Sequence, residues 1–212
     1  MPAKLPGKLP GKAAAETVQS PVRSLPLNRY VTYFALALGG CAADLATKHF
    51  VFRWLGVPPF FVTPGQPEAL VRWRGDAQLD HAWYLFDQRL GIQTSLNTGA
   101  VFGLGGGFWW LFAIFAFVAL AGIVAWLFYF RVAEDRWLTV TLGMITGGIL
   151  GNLHDRLGLW DTAGLRPMFQ HAVRDWIYFS WPESGLPFFN PWPNFNIADS
   201  LLVTGAIMLV VH

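Results

Sequence analysis

The sequence predicts a mostly α-helical membrane protein with four transmembrane helices, a small β-sheet on the outer membrane surface and an interfacial segment. The 212-residue chain is 54% hydrophobic and only 13% charged, which is too apolar for an ordinary soluble domain. Its apolar residues are also gathered into four runs of about membrane length. The runs cover about 30–52, 104–130, 137–156 and 195–211, and the outer loops cover 53–103 and 157–194.

A basic segment precedes the first span. Residues 1–29 contain five Lys or Arg residues against a single Glu, and they are rich in Pro and Gly, which disfavour a helix. Positive charge is retained on the cytoplasmic side of a membrane. We therefore expect a disordered, basic cytoplasmic tail over 1–29 and one four-span domain over 30–212.

The first span contains an acid and a base near its far end. Residues 30–52 would form a helix of about 34 Å, long enough to cross a bilayer. Asp44 and Lys48 are spaced i and i+4, so they share a helix face and are expected to form a buried structural ion pair. The stretch that ends at Cys41 also imitates the cleavage region of a lipoprotein signal peptide. The residues after Cys41 stay apolar, however, which favours a retained span.

The first outer loop ends in a predicted strand. Leu90, Ile92 and Leu96 alternate with small or polar residues, the period of a half-buried strand, so we expect a small sheet on the membrane surface. The strand leads to Asn97, which has two interpretations. It could cap the following helix, or its amide could bind a substrate backbone.

The second and third spans form a hairpin with a polar end. Residues 108–130 carry no charge and have Trp near both ends, as interfacial aromatics do. The third span returns to the outer side, and its glycines predict a smooth face for another helix. It ends in Asn152, Asp155 and Arg156, which lie on one helix face as a polar cluster. The alternative is an Arg-Asp pair that merely meets the lipid headgroups.

The last part of the chain contains two further acids in apolar surroundings. Asp175 lies in an aromatic stretch over 173–179, which we expect in the membrane interface. Span four begins at Phe195, with Asn196 and Asp199 at i and i+3 on one face.

The four spans predict that both chain ends are cytoplasmic, which places every unusual polar residue in the outer half. Ionisable groups at membrane depth are costly unless they are paired or hydrated, so they usually mark a site. One site near the outer surface would account for all of them: Asp44, Lys48, Asn97, Asn152, Asp155, Arg156, Asp175, Asn196 and Asp199.

Two carboxylates can hydrolyse a peptide bond without a metal or cofactor. Two nearby acids cannot both ionise, so one stays protonated while the other activates water. We expect no metal or cofactor, because the single cysteine and five scattered His residues form no ligand set. With no basic stripe, we also expect no nucleic-acid partner.

These motifs together resemble the lipoprotein signal peptidase family, also called signal peptidase II. The resemblance runs from about residue 30 to the end. It rests on Asp44 with Lys48, NTGAVFG at 97–103, GNLHDR at 151–156, the Asp175 segment and FNIADS at 195–200. It implies an intramembrane aspartic endopeptidase of the bacterial inner membrane. Its partners would be membrane lipid and diacylglyceryl-modified prolipoproteins, whose signal peptides it cleaves before the lipidated cysteine.

The resemblance also implies residue roles. Asp175 and Asp199 would be the catalytic pair, Asp155 would pair with Arg156, and the surface sheet would be a periplasmic cradle for the substrate. Globomycin-like cyclic peptides should block the site, and we expect a monomer. The substrate-binding residues would be Asn97, Gly99, Asn152, Arg156 and Asn196.

Two alternatives accompany this interpretation. The gap between Arg156 and Asp175 is longer than the family needs, and Asp161 lies closer to Arg156. Flanking glycines predict a turn at Asp161, whereas the apolar residues after Asp175 favour a protonated acid. The chain could also be a non-catalytic four-span protein, such as a transporter subunit or assembly factor, with its polar residues forming a structural network.

Overall fold

A computed structural model of the chain describes residues 24–65, 82–87, 89–99, 107–187 and 190–212. Predictions for residues 1–23, for the middle of the first outer loop and for the first residues of span two lie outside these ranges. The described residues form four α-helices and one four-stranded antiparallel sheet. The helices are α1 (Leu27–Leu55), α2 (Trp109–Val124), α3 (Arg136–Arg156) and α4 (Ile197–Val210), and the strands are β1 (Ala82–Leu85), β2 (Leu90–Asn97), β3 (Val173–Phe179) and β4 (Trp192–Phe195).

The helices follow the four apolar runs, with one boundary to correct. α1 begins at Leu27, and Leu25 before it is buried in a cluster with Tyr33 and Leu127. The predicted tail therefore extends too far, since its last residues belong to the folded domain. Two described segments, Leu27–Leu55 and Trp109–Tyr129, are long and apolar enough to cross a membrane, and the second continues α2 through one π-helical turn.

α3 is the central helix because it contacts α1, α2 and α4. Small residues allow this close packing, as the sequence predicts. A Cβ added at Gly147 would lie 3.0 Å from the carbonyl oxygen of Ala37 in α1, and one at Gly148 would lie 2.5 Å from that of Ala198 in α4. The polar end of α3 is therefore held against two other helices at once.

The sheet has the order β1-β2-β3-β4, and β2 has the bounds that the alternating pattern predicts. The segment that we expect in the membrane interface forms β3, an inner strand paired with β2 and β4. Its β-branched and aromatic residues favour a strand, and pairing on both sides satisfies its backbone.

The sheet packs on the far end of α1. Phe52 and Leu55 of α1 form a buried cluster with Leu96 of β2 and with Ala172, which precedes β3. This contact fixes the ends of β2 and β3 over the helices, where the polar residues lie.

Candidate active site

A buried ion cluster joins α1 to α3. The Lys48 Nζ lies 2.7 Å from Asp44 Oδ2, as the i and i+4 spacing predicts, and 3.2 Å from Asp155 Oδ2. All three side chains are fully buried. Asp44 Oδ1 also accepts a hydrogen bond from the backbone N–H of Ala198 in the first turn of α4, 2.9 Å away. Asp44 of α1 therefore binds both Lys48 and the N-terminus of α4.

Asp155 does not pair with Arg156, contrary to the expectation from the resemblance. Its main guanidinium partner is Arg174 of β3, whose Nη2 and Nε lie 2.7 and 3.1 Å from Asp155 Oδ1. The Arg174 backbone N–H also donates to Asp155 Oδ2 at 3.0 Å. Adjacent residues on a helix point in different directions, which separates Asp155 from Arg156. Sequence reasoning did not identify Arg174. Successive side chains of a strand point to opposite faces, so Arg174 and its neighbour Asp175 face different sides of β3.

Arg156 instead ties α3 to the end of β2. Its Nη1 donates to the carbonyl oxygen of Asn97 at 3.0 Å, its Nη2 donates to that of Gly99, and its guanidinium lies 5.0 Å from the centre of the Phe112 ring. Asn97 does not cap α2, because the cap position of that helix is Phe108. The Asn97 side-chain oxygen accepts from the Gly99 N–H at 3.0 Å.

A capping box fixes Asp199 at the start of α4. Asn196 Oδ1 accepts from the Asp199 N–H at 2.9 Å, and Asp199 Oδ2 accepts from the Asn196 N–H at 3.1 Å. Both reciprocal bonds satisfy backbone donors that a helix start leaves open. Asp199 is therefore held by the local sequence as well as by packing.

Two amides link the two acids that the resemblance selects. Asn196 Nδ2 donates to Asp175 Oδ1 at 2.7 Å and to Asn152 Oδ1 at 3.1 Å. Asn152 Nδ2 donates to Asp199 Oδ1 at 2.8 Å, and Lys48 Nζ donates to Asn152 Oδ1 at 3.0 Å. Asp175 and Asp199 are thus connected through neutral side chains, and the ion cluster lies behind those amides.

Both acids line one cavity of about 760 Å³. Its walls come from α2, α3, α4 and the sheet, and its polar lining includes Asn97, Gly99, Asn152, Arg156, Asp175 and Asp199. Apolar residues of α2 extend the lining, and sequence reasoning did not identify them because span two is apolar all round: Phe112, Phe115, Ala116 and Ala119.

Asp161 lies away from this cavity. It is exposed, and its Oδ1 accepts from the Ala163 N–H at 3.0 Å, as expected for an acid in a turn. It lines a separate cavity of about 620 Å³ together with Arg53 and Trp160. The geometry therefore brings Asp175, not Asp161, to the polar residues of α3 and α4.

Comparison with known proteins identifies the family of the chain. The model of the family described as signal peptidase (SPase) II matches residues 36–212. The chain belongs to the signal peptidase II family. A lipoprotein signal peptidase from Rhodopirellula baltica is 45% identical over 189 residues, which are 89% of this chain and 74% of that protein.

Other members of the signal peptidase II family align over shorter ranges or at lower identity. A lipoprotein signal peptidase from Pseudomonas fluorescens is 39% identical over 119 residues, which are 54% of this chain and 60% of that protein. A solved bacterial membrane enzyme superposes with a TM-score of 0.61 at 23% identity, covering 85% of this chain and 86% of that one. The structural likeness supports the fold.

In this signal peptidase II chain the surroundings of Asp175 favour its protonated form. Burial raises the pKa of its carboxyl well above the usual value, and the charge of Asp199 raises it further. Lys48 and the amides of Asn196 and Asn97 act in the opposite direction. A carboxyl that keeps its proton near neutral pH can serve as a general acid.

Asp175 and Asp199 differ from Asp44 and Asp155 in their charged partners. Within the described residues neither Asp175 nor Asp199 forms an ion pair with Lys or Arg. A purely structural network would neutralise buried acids with bases, as it does for Asp44 and Asp155. In the same part of the chain, no group of three or more His, Cys, Asp or Glu side chains is placed to hold a metal ion.

Proposed function

We propose that this chain removes signal peptides from diacylglyceryl-modified prolipoproteins, cleaving before the lipidated cysteine with Asp175 and Asp199 as the catalytic pair. Membership of the signal peptidase II family gives it the activity of an aspartic peptidase that processes lipoprotein precursors. The observation that carries the residue assignment is the shared cavity, in which both acids lie without a basic partner and are bridged by Asn196 and Asn152.

The hydrogen bonds support different roles for the two acids. Both oxygens of Asp199 accept N–H donors, one from Asn152 and one from Asn196, and such donors stabilise a carboxylate. Asp175 keeps the shared proton because it is buried. Asp199 then takes a proton from the attacking water, while Asp175 hydrogen-bonds the scissile carbonyl and later protonates the leaving amine.

The cavity lining supports a substrate with polar and apolar parts. Arg156, Asn97 and Asn152 lie at the polar end with the acids, where they can hold a peptide backbone. The apolar walls continue along α2 and α4 through Phe115, Leu202 and other residues, and they suit a signal-peptide helix and its lipid chains.

We further propose that α1 to α4 all cross the bacterial inner membrane and that the enzyme is a monomer. Both chain ends would lie in the cytoplasm, with the active site and the sheet toward the periplasm. α4 is shorter than α1 and α2, and α3 is less apolar than they are. The threonines and glycines of α3 are buried against neighbouring helices, which suits a helix within a membrane bundle.

A cleavage assay tests the proposed function. Purified protein is incubated with a diacylglyceryl-modified prolipoprotein peptide, and the products are identified by mass. Cleavage before the modified cysteine, lost in Asp199→Asn, is the expected result, and the unmodified peptide is the matched control. No cleavage by folded wild-type protein would favour the non-catalytic four-span alternative. Full cleavage by Asp199→Asn would instead overturn the assignment of Asp199 to the catalytic pair.

A further inference from the structure

A small cationic cavity lies at the end of the bundle opposite the sheet. It has a volume of about 220 Å³ and opens between the first turns of α1 and α3. No acid lines it. The residues around it are Asn28, Arg29, Thr32, Arg136, Thr139 and Val140.

The charges of the two arginines in this cavity are not balanced by any residue that the structure describes. Neither Arg29 nor Arg136 forms an ion pair within the described residues, and Arg29 Nε is buried without a hydrogen-bond partner there. The nearby acids are already engaged. Glu134 binds Arg131 at 2.8 Å, and Asp135 accepts from the Leu138 N–H and binds His212.

Unpaired guanidinium groups around one cavity repel each other, and a buried donor without a partner is costly. An anion would remove both costs. A phosphate group matches the forked donors of arginine and accepts several hydrogen bonds. The Thr32 hydroxyl can add a donor, whereas the Thr139 hydroxyl already donates to backbone carbonyls.

The surroundings of the cavity point to a lipid as the source of the phosphate. Large apolar residues within two positions of these arginines in the sequence are exposed on the same helix ends, namely Leu27 at 76%, Val31 at 58% and Trp137 at 43%. Acyl chains can cover such residues while the headgroup meets the charges, and Trp is typical of this interfacial level.

We propose that this cavity binds a phosphate ester, held by the guanidinium groups of Arg29 and Arg136 and supplied by an anionic phospholipid headgroup. The site is separate from the catalytic cavity, so it does not depend on the peptidase assignment. Each guanidinium near an anionic lipid contributes about a fivefold gain in affinity.

The test is a thermal-shift titration of the full-length protein in a neutral detergent at low ionic strength. Dioctanoyl phosphatidylglycerol is compared with dioctanoyl phosphatidylcholine and with inorganic phosphate. Arg29→Gln and Arg136→Gln are tested singly and together, and Arg29→Lys keeps the charge. Arg53→Gln is the matched control, because Arg53 is exposed in the last turn of α1 and forms no ion pair within the described residues.

We expect phosphatidylglycerol to raise the melting temperature of wild type and of Arg53→Gln, with apparent affinity about 30-fold weaker in the double variant. Arg29→Lys should keep most of the binding, which shows that the fold tolerates a change there. Equal shifts from phosphatidylcholine, or equal affinity in the double variant, would overturn the site. Binding of inorganic phosphate with the same arginine dependence would uphold the anion site and overturn the lipid source.

Discussion

Asn196 and Asn152 are the residues on which the assignment of the acids depends. Each amide contacts one acid and the other amide, so the two carboxyl groups share one hydrogen-bonded unit. Because both amides are neutral, the unit can lose or gain one proton without breaking an ion pair.

The first prediction follows from this shared unit. Asp175→Asn and Asp199→Asn should each lower turnover by on the order of 10³-fold or more, and the double variant should be little worse than either. Turnover is measured with the modified prolipoprotein peptide, and inhibitor binding checks the fold. Asp161→Ala is the control and should keep activity. Activity lost in Asp161→Ala but kept in Asp175→Ala would show that the wrong acid was chosen.

The second prediction concerns pH. Burial and the charge of Asp199 raise the folded-state pKa of Asp175. Protonated Asp175 therefore stabilises the folded state fully below the unfolded pKa, and this stabilisation is lost as the pH rises through the folded pKa. Asp175→Asn cannot ionise. Its melting temperature relative to wild type should therefore increase as the pH rises above about 4, the unfolded pKa of an Asp side chain. A difference that stays constant with pH would contradict the burial argument.

The third prediction separates a structural from a chemical role for Lys48. Lys48→Met strands Asp44 without its base and leaves Asp155 with Arg174 alone, which should cost roughly 3 to 5 kcal/mol of stability. Arg89→Met is the control, because its pair with Glu183 is exposed and should contribute at most about 1 kcal/mol. Thermal melting and turnover are both measured. Complete loss of turnover at an unchanged melting temperature would move Lys48 into the chemistry.

At the residue level, sequence predicted pairs within one helix better than pairs between elements. The Asp44 and Lys48 pair follows from i and i+4 spacing alone. The bond between Asp155 and Arg174 depends on how β3 lies across the end of α3, which no local pattern contains.

At the level of elements, the periodicity of apolar residues located the long and regular helices and strands. β2 and α3 were found with nearly correct bounds, because eight alternating residues and a glycine-rich apolar run are clear signals. β1 and β4 are only four residues each, which is too short for a period to appear. The strand β3 was not predicted as a strand, because its aromatic residues also suit a membrane interface.

The fourth prediction tests the packing of α3. A Cβ at Gly151 would overlap Asp44 Oδ2 and lie 3.2 Å from the Ala198 Cβ, so Gly151→Ala should cost about 1 to 3 kcal/mol. Gly39→Ala in α1 is the matched control, since its added Cβ meets nothing within 4 Å. It should leave stability unchanged or raise it by up to about 1 kcal/mol. Equal melting temperatures for the two variants would show that α3 does not need this close approach.

At the level of the whole molecule, the two ends of the bundle differ in chemistry. The sheet, Asp175, Asp199 and the amides lie where α1 and α3 end, whereas α1 and α3 begin at the other end. In the sequence, residues 1–29 contain five Lys or Arg residues against one Glu. Such a basic excess before the first span is retained in the cytoplasm, so it predicts which way the chain is inserted.

The last prediction is the resulting topology. If all four helices span, chain direction reverses at each, and fusions at Glu134 and His212 should report the cytoplasm while fusions at Gly65 and Gly185 should report the periplasm. Paired alkaline phosphatase and fluorescent protein reporters, which are active on opposite sides, provide the measurement and its internal control. The short turn at Glu134 is the most informative position, because it joins α2, which is apolar enough to span, to α3, which is less so. A periplasmic signal there would reverse the insertion and place the acids of α3 and α4 on the side away from exported prolipoproteins.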